Sequence, residues 1–546
     1  MLTPFSQQNP YTSQRSATYA KRGMVAASQP LASQIGRDVL AQGGNAVDAA
    51  IATAAALTVV EPTGCGIGGD AFALVWIASD NTGKGKLHGL NASGNAPASL
   101  TPEAVGQAGH DSMPLYGWTP VTVPGTPAAW AELSRRFGKL DFAILLAPAI
   151  RLVREGFPVS PVISTLWQRA EATFRRHFSE ASTQAWFDTF TPEGHAPHPG
   201  EMFRCEAQAC TLEALAETHC ESFYRGELAE KIDAFSRRTG GYLRQQDLAD
   251  YRTEWVAPIS ANYRGYDVWE IPPNGQGLVA LMALRILEGF DSGSRDDPRV
   301  LHQQLEAMKL AFIDGQTHIT QPEHMTHSVE SLLSDDYTRA RRALTGEFAL
   351  DPSPGQPHGG GTVYLATADD DGNMVSFIQS NYHDFGSGVV IPDTGIAMQN
   401  CGHNFSLDPS HDNVLAPGKK TFHTIIPGFL THGDTALGPF GVMGGFMQPQ
   451  GHVQMVMNLV DFGLNPQAAL DAPRWQWMGG RRIGLEHAFP AHLARAMAQR
   501  GHAVEIAHDS TGYGRGQIII RDPASGVYCG GTEARTDASI AVLQAC

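Results

Sequence analysis

Asp351-Pro-Ser-Pro-Gly-Gln-Pro-His-Gly-Gly-Gly361 runs directly into Thr362-Val-Tyr-Leu-Ala-Thr-Ala368. The first half is rich in proline and glycine, so it reads as an exposed, irregular, flexible linker. The second half alternates as a strand should. Asp369-Asp-Asp-Gly-Asn373 reads as a turn, and residues 374–380 as the returning strand. The chain thus feeds a flexible glycine-rich linker into a threonine at the first position of a hairpin.

A threonine hydroxyl is a weak nucleophile unless a base stands beside it. A threonine at a chain N-terminus carries its own base, because a free α-amine has a pKa of about 7.7–8.0 and is partly neutral near pH 7. Freeing that amine here requires a cut between Gly361 and Thr362, made by Thr362 Oγ1 attacking the Gly361 carbonyl. Glycine before the cut adds little steric cost to a strained peptide. Position alone is also satisfied by an ordinary β-branched residue opening a strand.

Upstream of this stretch the chain is helical. Residues 30–42 place Leu31, Ile35, Val39 and Leu40 on one face, and Gly43-Gly44 stops that helix. Asn45 caps a second helix over 46–57, apolar all round and therefore buried. Residues 71–77 read as a strand. Helices are expected over roughly 127–155, 162–176, 209–237 and 296–316, and alternating strands beyond 362. Helical and stranded regions in that order indicate a layered α/β or α+β architecture.

Composition narrows the partners. The 546 residues carry a net charge of −16 and show the hydrophobic share of a globular chain. Acidity argues against a nucleic-acid or anionic-membrane partner. No apolar window reaches the length of a spanning helix, and residues 1–19 lack the apolar core of a signal peptide. The seven cysteines are odd in number and irregularly spaced. They read as thiols of a cytoplasmic protein. No Ser/Gly linker divides the chain, and no 20–50-residue repeat occurs.

Over residues 20–540 the sequence resembles the γ-glutamyltransferase family of N-terminal-nucleophile hydrolases. The matching blocks are Gly23-Met-Val-Ala26, Gln42-Gly-Gly-Asn-Ala-Val-Asp-Ala-Ala50, Glu61-Pro62 with Gly66-Ile-Gly-Gly69, and Val123-Pro-Gly-Thr126. Pro272-Pro273 with Gly275 and Gly277, and then Glu306-Ala-Met308, follow in order. Beyond the hairpin come Phe385-Gly-Ser-Gly388, Gly444-Gly445, Asp461-Phe-Gly-Leu-Asn465 and Ala472-Pro-Arg474. Each block is weak, but together their order and spacing are specific.

The resemblance implies a four-layer αββα fold, made as a precursor that cleaves itself before Thr362. The products would be fragments 1–361 and 362–546, intertwined in one compact heterodimer that is able to assemble further. It implies Gly444 and Gly445 as the backbone oxyanion hole and Ser380 as a hydroxyl orienting the nucleophile. No organic cofactor and no metal is implied. The only partner expected is a small-molecule amide substrate.

Recognition residues depart from the family pattern. Ser93 stands near the family's carboxylate-binding arginine, His423-Thr424 at its serine pair, and Cys401 and Asn404 at its amino-group ligands. Ile378-Gln-Ser-Asn-Tyr382, Phe422-His-Thr-Ile-Ile426 and residues 441–452 look like the branch of acylases and oxamate-type amidohydrolases. Asn381, Tyr382, Asn404, His423 and Thr424 are therefore the expected substrate-binding residues. His383, His403 and Arg474 are further candidates for an anionic end. The expected activity is hydrolysis of a small acid amide, oxamate-like or carboxyacyl. A genuine γ-glutamyltransferase or glutathione hydrolase is the alternative within the family, and an unprocessed non-catalytic scaffold the alternative outside it.

Three other signals are set aside. Gly64-Cys-Gly66-Ile-Gly-Gly69 fits GxGxxG, but dinucleotide binding needs a strand before it and a helix after it, the reverse of the reading here. The 21 histidines show no zinc-type spacing. Cys401 has no recognisable activating partner in sequence.

Overall fold

The computed structural model describes residues 15–79, 84–179, 181–291, 293–352 and 361–544. Most of the expected linker, 353–360, lies outside the described residues. Helix Pro30–Ala41 starts where the Gln29 side-chain oxygen accepts the amides of Leu31 and Ala32. Helix Ala46–Val60 starts in a reciprocal capping box, with Asn45 accepting from Val47 and Asp48 while Asp48 accepts from Asn45 N. Every residue of that helix is buried. It runs past Leu57 because burial of Thr58, Val59 and Val60 outweighs their weaker helix propensity.

The hairpin forms as read. Val363–Ala368 pairs antiparallel with Met374–Ser380, from Val363 opposite Gln379 to Ala368 opposite Met374. Gly372 closes the turn at φ +85°, where a side chain would be strained. On its flanks the hairpin pairs with Gly23–Ala27 and with Asp70–Ile77. The resulting seven-stranded sheet runs Ser539–Leu543, Gly23–Ala27, Val363–Ala368, Met374–Ser380, Asp70–Ile77, Lys86–Ala92, Glu254–Val256. A second seven-stranded sheet runs Thr18–Ala20, Tyr528–Thr532, Arg515–Arg521, Thr435–Met443, Gly428–His432, Tyr266–Glu270, Ile259–Tyr263.

Alternation along the strands builds the layers. Leu365, Val375 and Phe377 pack outward with helix Ala46–Val60. Tyr364, Ala366 and Ile378 turn inward and meet Phe429, Met443 and Ile519 of the second sheet. That sheet's outer face, with Val268, Leu430, Phe440 and Val442, packs under helices Gly277–Glu288, Pro298–His318 and Met447–Val460. The order helix, sheet, sheet, helix is the expected four-layer αββα fold.

Two regions differ from the expectation. Beyond 362 the chain is not only stranded, because Met447–Val460, Pro466–Asp471 and Ala491–Gln499 are helices. Residues 447–458 are all buried, so the first of these shows no amphipathic period to read. Conversely, Glu254–Val256, Ile259–Tyr263 and Tyr266–Glu270 put strands into the helical middle. Among the described residues no helix is long and apolar enough to cross a membrane.

Candidate active site

The hairpin register that sets Val363 opposite Gln379 brings Thr362 beside Ser380. Both are fully buried. Thr362 Oγ1 lies 2.9 Å from Ser380 Oγ, and each hydroxyl lies 2.8 Å from the carbonyl oxygen of Gly361. The Tyr382 amide donates to Ser380 Oγ at 2.7 Å. One assignment satisfies three of the four contacts: Tyr382 N–H and Thr362 O–H donate to Ser380 Oγ, and Ser380 O–H donates to the Gly361 carbonyl, while Thr362 Oγ1 lies against that carbonyl oxygen without a proton between them. That arrangement polarises the peptide ahead of Thr362 and links its hydroxyl to the carbonyl oxygen through one side chain.

The Gly64–Gly69 loop packs against this group. A Cβ on Gly64 would stand 3.0 Å from the Thr362 carbonyl oxygen, and one on Gly361 would stand 2.7 Å from the Thr63 oxygen. Cβ atoms on Gly66 and Gly69 would meet the Asn381 side chain at 2.9 and 2.8 Å. Helix Ala46–Val60 precedes the loop and strand Asp70–Ile77 follows it, which is the wrong order for a dinucleotide fold. Asn381 is fully buried, and neither side-chain amide atom has a hydrogen-bond partner.

Gly444 and Gly445 follow strand Thr435–Met443 at φ +135° and +58° and lead into helix Met447–Val460. Their strand packs across the hairpin, since a Cβ on Gly441 would meet the Tyr364 ring at 2.5 Å. Gln276 Nε2 donates to Gly445 O at 2.9 Å and to Thr424 O at 2.5 Å. It thereby ties the glycine pair to the 423–424 segment. The Thr424 hydroxyl is buried without a partner.

The other expected site residues have varied surroundings. Tyr382 is buried at φ +74°, and its ring centroid lies 6.2 Å from that of His403. Burial pushes its phenol well above the ordinary tyrosine range. Asn404 Nδ2 donates to Cys401 O at 3.2 Å. His383 Nδ1 lies 3.4 Å from Asp384. Burial lowers the His383 pKa, but the Asp384 carboxylate outweighs burial and leaves it raised.

Two expected anion ligands are already engaged. His423 is 1% exposed, its Nε2 lies 3.0 Å from Asp70 and its Nδ1 accepts from Ile425 N at 3.3 Å. Nδ1 as acceptor makes Nε2 the protonated nitrogen, so both ring positions serve the fold. Arg474 is fully buried and donates to Glu533 at 2.7 Å and to the carbonyls of Tyr513, Gly514 and Leu470. Ser93, at the family's arginine position, sits in a neutral network. Its hydroxyl donates to Asn91 at 2.7 Å, and Asn274 Nδ2 donates to Ser93 Oγ at 3.2 Å.

Asp70, Gln276 and Asn274 were not legible as site residues. Each lies inside or beside a quoted block, yet only the fold shows which segments it joins. Among the described residues, two clusters have metal-ligand donors within 4.8 Å of one another: Asp70, Cys401 and His423, and His302, Glu306 and His502. In the first, Asp70 also accepts from Gly94 N and Gly125 N, and burial drives the Cys401 thiol far above its ordinary pKa. The second already holds a cation, since Lys309 Nζ lies 2.8 Å from Glu306 and 3.4 Å from His502 Nδ1.

Comparison with known proteins agrees with this architecture. The family model described as Gamma-glutamyltranspeptidase matches residues 32–543. The cephalosporin acylase structure from Bacillus halodurans superposes with a TM-score of 0.96 at 59% identity, covering 100% of both chains. The glutathione hydrolase-like YwrD proenzyme of Bacillus subtilis is 36% identical over 94% of this chain and 97% of its own. The oxamate amidohydrolase proenzyme of Klebsiella pneumoniae is 36% identical over 96% of this chain and 99% of its own.

Proposed function

The chain belongs to the gamma-glutamyltranspeptidase family, and from that premise we propose that it is a precursor that cuts itself between Gly361 and Thr362 and then hydrolyses the amide of a small acidic acyl substrate. The observation that carries this reading is the triangle of Thr362 Oγ1, Ser380 Oγ and the Gly361 carbonyl oxygen, with sides of 2.8, 2.8 and 2.9 Å.

In the cut, Thr362 Oγ1 adds to the Gly361 carbonyl carbon, and its proton passes through Ser380 to the carbonyl oxygen. The C–N bond then breaks as that proton moves on from the oxygen to the Thr362 nitrogen and the carbonyl re-forms. The Gly361 acyl group stays on Oγ1 as an ester, and the Thr362 nitrogen leaves as a free amine. Water hydrolyses the ester, giving fragment 1–361 with a Gly361 carboxylate and fragment 362–546 with an N-terminal threonine. In turnover that amine takes the Oγ1 proton as the hydroxyl attacks the substrate amide. The leaving amine or ammonia receives the proton, and water releases the acyl group. Gly444 and Gly445 supply backbone N–H groups to the tetrahedral oxyanion, each worth about 3 kcal/mol in such sites.

The neutral Ser93–Asn91–Asn274 network supports a carboxyacyl or oxamate-like amide over a γ-glutamyl one, because it places no cation where a glutamyl α-carboxylate would be held. Similarity to the acylase and to the oxamate amidohydrolase points the same way. A γ-glutamyl hydrolase acting on glutathione-like compounds is the second reading, favoured by the Bacillus subtilis relative.

The test is the intact mass of the purified protein under denaturing conditions beside Thr362→Ala. Two fragments, the smaller starting at Thr362, with an uncut variant support the nucleophile. One uncut chain in both leaves the scaffold reading. Ammonia release from oxamate, or amine release from a glutaryl anilide, then separates the first reading from γ-glutamyl anilide hydrolysis.

A further inference from the structure

Glu61 opens one of the quoted sequence blocks, and nothing above gives it a role. It is fully buried at the end of helix Ala46–Val60. Its carboxylate accepts from Arg515 Nη1 at 2.9 Å and from the Ser28 hydroxyl. Its carbonyl accepts from Gly64 N at 3.1 Å, which closes the turn Glu61-Pro-Thr-Gly64. That turn is the one packed on the scissile peptide, through Thr63 against Gly361 and Gly64 against Thr362.

Arg515 has an equally specific neighbour on its other side. Gly514, one residue earlier, lies directly behind the glycine pair, since a Cβ on Gly444 would stand 3.2 Å from Gly514 Cα. Arg515 itself pairs with Met443, the residue before Gly444. The Gly514 carbonyl is held by Arg474 Nη1 at 2.7 Å, and Arg474 is held by Glu533. The buried ion pair therefore joins two backbone segments with different tasks in the proposed chemistry.

We propose that Glu61 and Arg515 are positioning residues that lock the turn under the Gly361–Thr362 peptide to the strand end behind Gly444, so that one buried ion pair sets the distance between nucleophile and oxyanion glycines in both self-cutting and turnover. This inference rests on the reading of Thr362 and of Gly444–Gly445 given above. The carboxylate is costly to bury. Burial raises Glu61 to about 7 against the pull of Arg515, and the fold retains it where an apolar pair would pack without that cost. Neither side chain touches the Thr362 hydroxyl, so each acts through the backbone that it holds.

The experiment follows self-cutting of freshly translated full-length precursor by intact mass over time. Glu61→Gln and Arg515→Met are compared with wild type, with Thr362→Ala as the uncut reference and Arg169→Ala, which removes an exposed ion pair with Asp509, as the neutral control. Breaking one half of a buried pair can unfold a chain, so Arg515→Lys and the double variant Glu61→Gln/Arg515→Met are run beside them with thermal unfolding. The single variants are expected to cut at least about tenfold more slowly, as a misplaced reacting group does. The double variant is expected to regain the wild-type unfolding midpoint but not the rate, and Arg515→Lys to regain much of the rate.

Cutting by folded Glu61→Gln and Arg515→Met within about twofold of wild type overturns the inference, as does a double variant that recovers rate together with stability. If Thr362→Ala is itself cut at the same peptide bond, the underlying reading fails instead, and the two failures are distinct.

Discussion

Thr362 Oγ1 and Ser380 Oγ lie 2.9 Å apart, both fully buried and both within 2.8 Å of the same carbonyl oxygen. Among the described residues, Ser380 is the side chain hydrogen-bonded to both the Thr362 hydroxyl and that oxygen, the position the proposed proton transfer needs. Ser380→Ala should slow self-cutting by on the order of a hundredfold, the usual scale for a lost proton-transfer group. Ser380→Thr, which keeps the hydroxyl, should lose less. Time-resolved intact mass checks both. Cutting of Ser380→Ala at the wild-type rate would remove this residue from the mechanism.

Gly444→Ala should fold and cut poorly and turn over worse. Its φ of +135° is strained for alanine, and the new Cβ would press on Gly514 Cα at 3.2 Å. Strain of about 1–3 kcal/mol is expected in the unfolding free energy. The backbone N–H survives the substitution, so kcat should fall as far as the strain turns that N–H off the oxyanion, up to about the 10²–10³ of a lost donor. Steady-state kinetics on the fraction that has matured separates the two effects.

The His302–His502 pair should lose its contribution to stability as pH drops from neutral toward 5, against the opposite contribution of Glu61, whose raised carboxyl favours the fold as pH falls. His302 and His502 contact each other at 2.9 Å beside Lys309. Burial, with the neighbouring cations, lowers them to about 4 and about 3. Below pH 6.5 the unfolded chain takes up protons that the folded chain refuses, so the pair's contribution rises with pH across that window and is complete above it. The pair should contribute a loss on the order of 2 kcal/mol between pH 6.5 and 5. Thermal melts of uncut Thr362→Ala read it, and His502→Gln should flatten the slope.

Arg474→Met should destabilise the chain by about 3–5 kcal/mol, because it strips Glu533 of one of its two arginines inside the core. Those arginines hold the Glu533 carboxyl at about 2 in spite of its burial. The pair's contribution is therefore present at neutral pH and lost only in strong acid. Urea unfolding of uncut Thr362→Ala with and without Arg474→Met checks the size. A KM change in matured Arg474→Met without a stability change would return Arg474 to the role of substrate ligand.

The hairpin at 362–380 was legible because its alternation, its turn residues and the linker before it all agree. The capped helices after Gln29 and Asn45 were legible for the same reason. Helix Met447–Val460 was not, because a helix buried on every side carries no period. The proposed nucleophile Thr362, Ser380 and the Gly444–Gly445 pair each fall in a distinct motif, so the proposal could be framed from the chain alone, and the fold adds that Thr362 and Ser380 touch. Which polar side chains face a substrate could not. His423 and Arg474 look like anion ligands in one dimension, and only the fold brings Asp70 and Glu533 to them.

Each seven-stranded sheet takes strands from both sides of the Gly361–Thr362 bond. A cut there severs the chain inside an assembled sheet, and neither piece holds the neighbours it needs to rebuild a layer alone. If the proposed cut is made, maturation works as a ratchet. The intact chain folds in one molecule, but the cut enzyme, once unfolded, must find its other half in solution. The molecule's lifetime in use is thereby set by how slowly it comes apart, not by how well it re-forms.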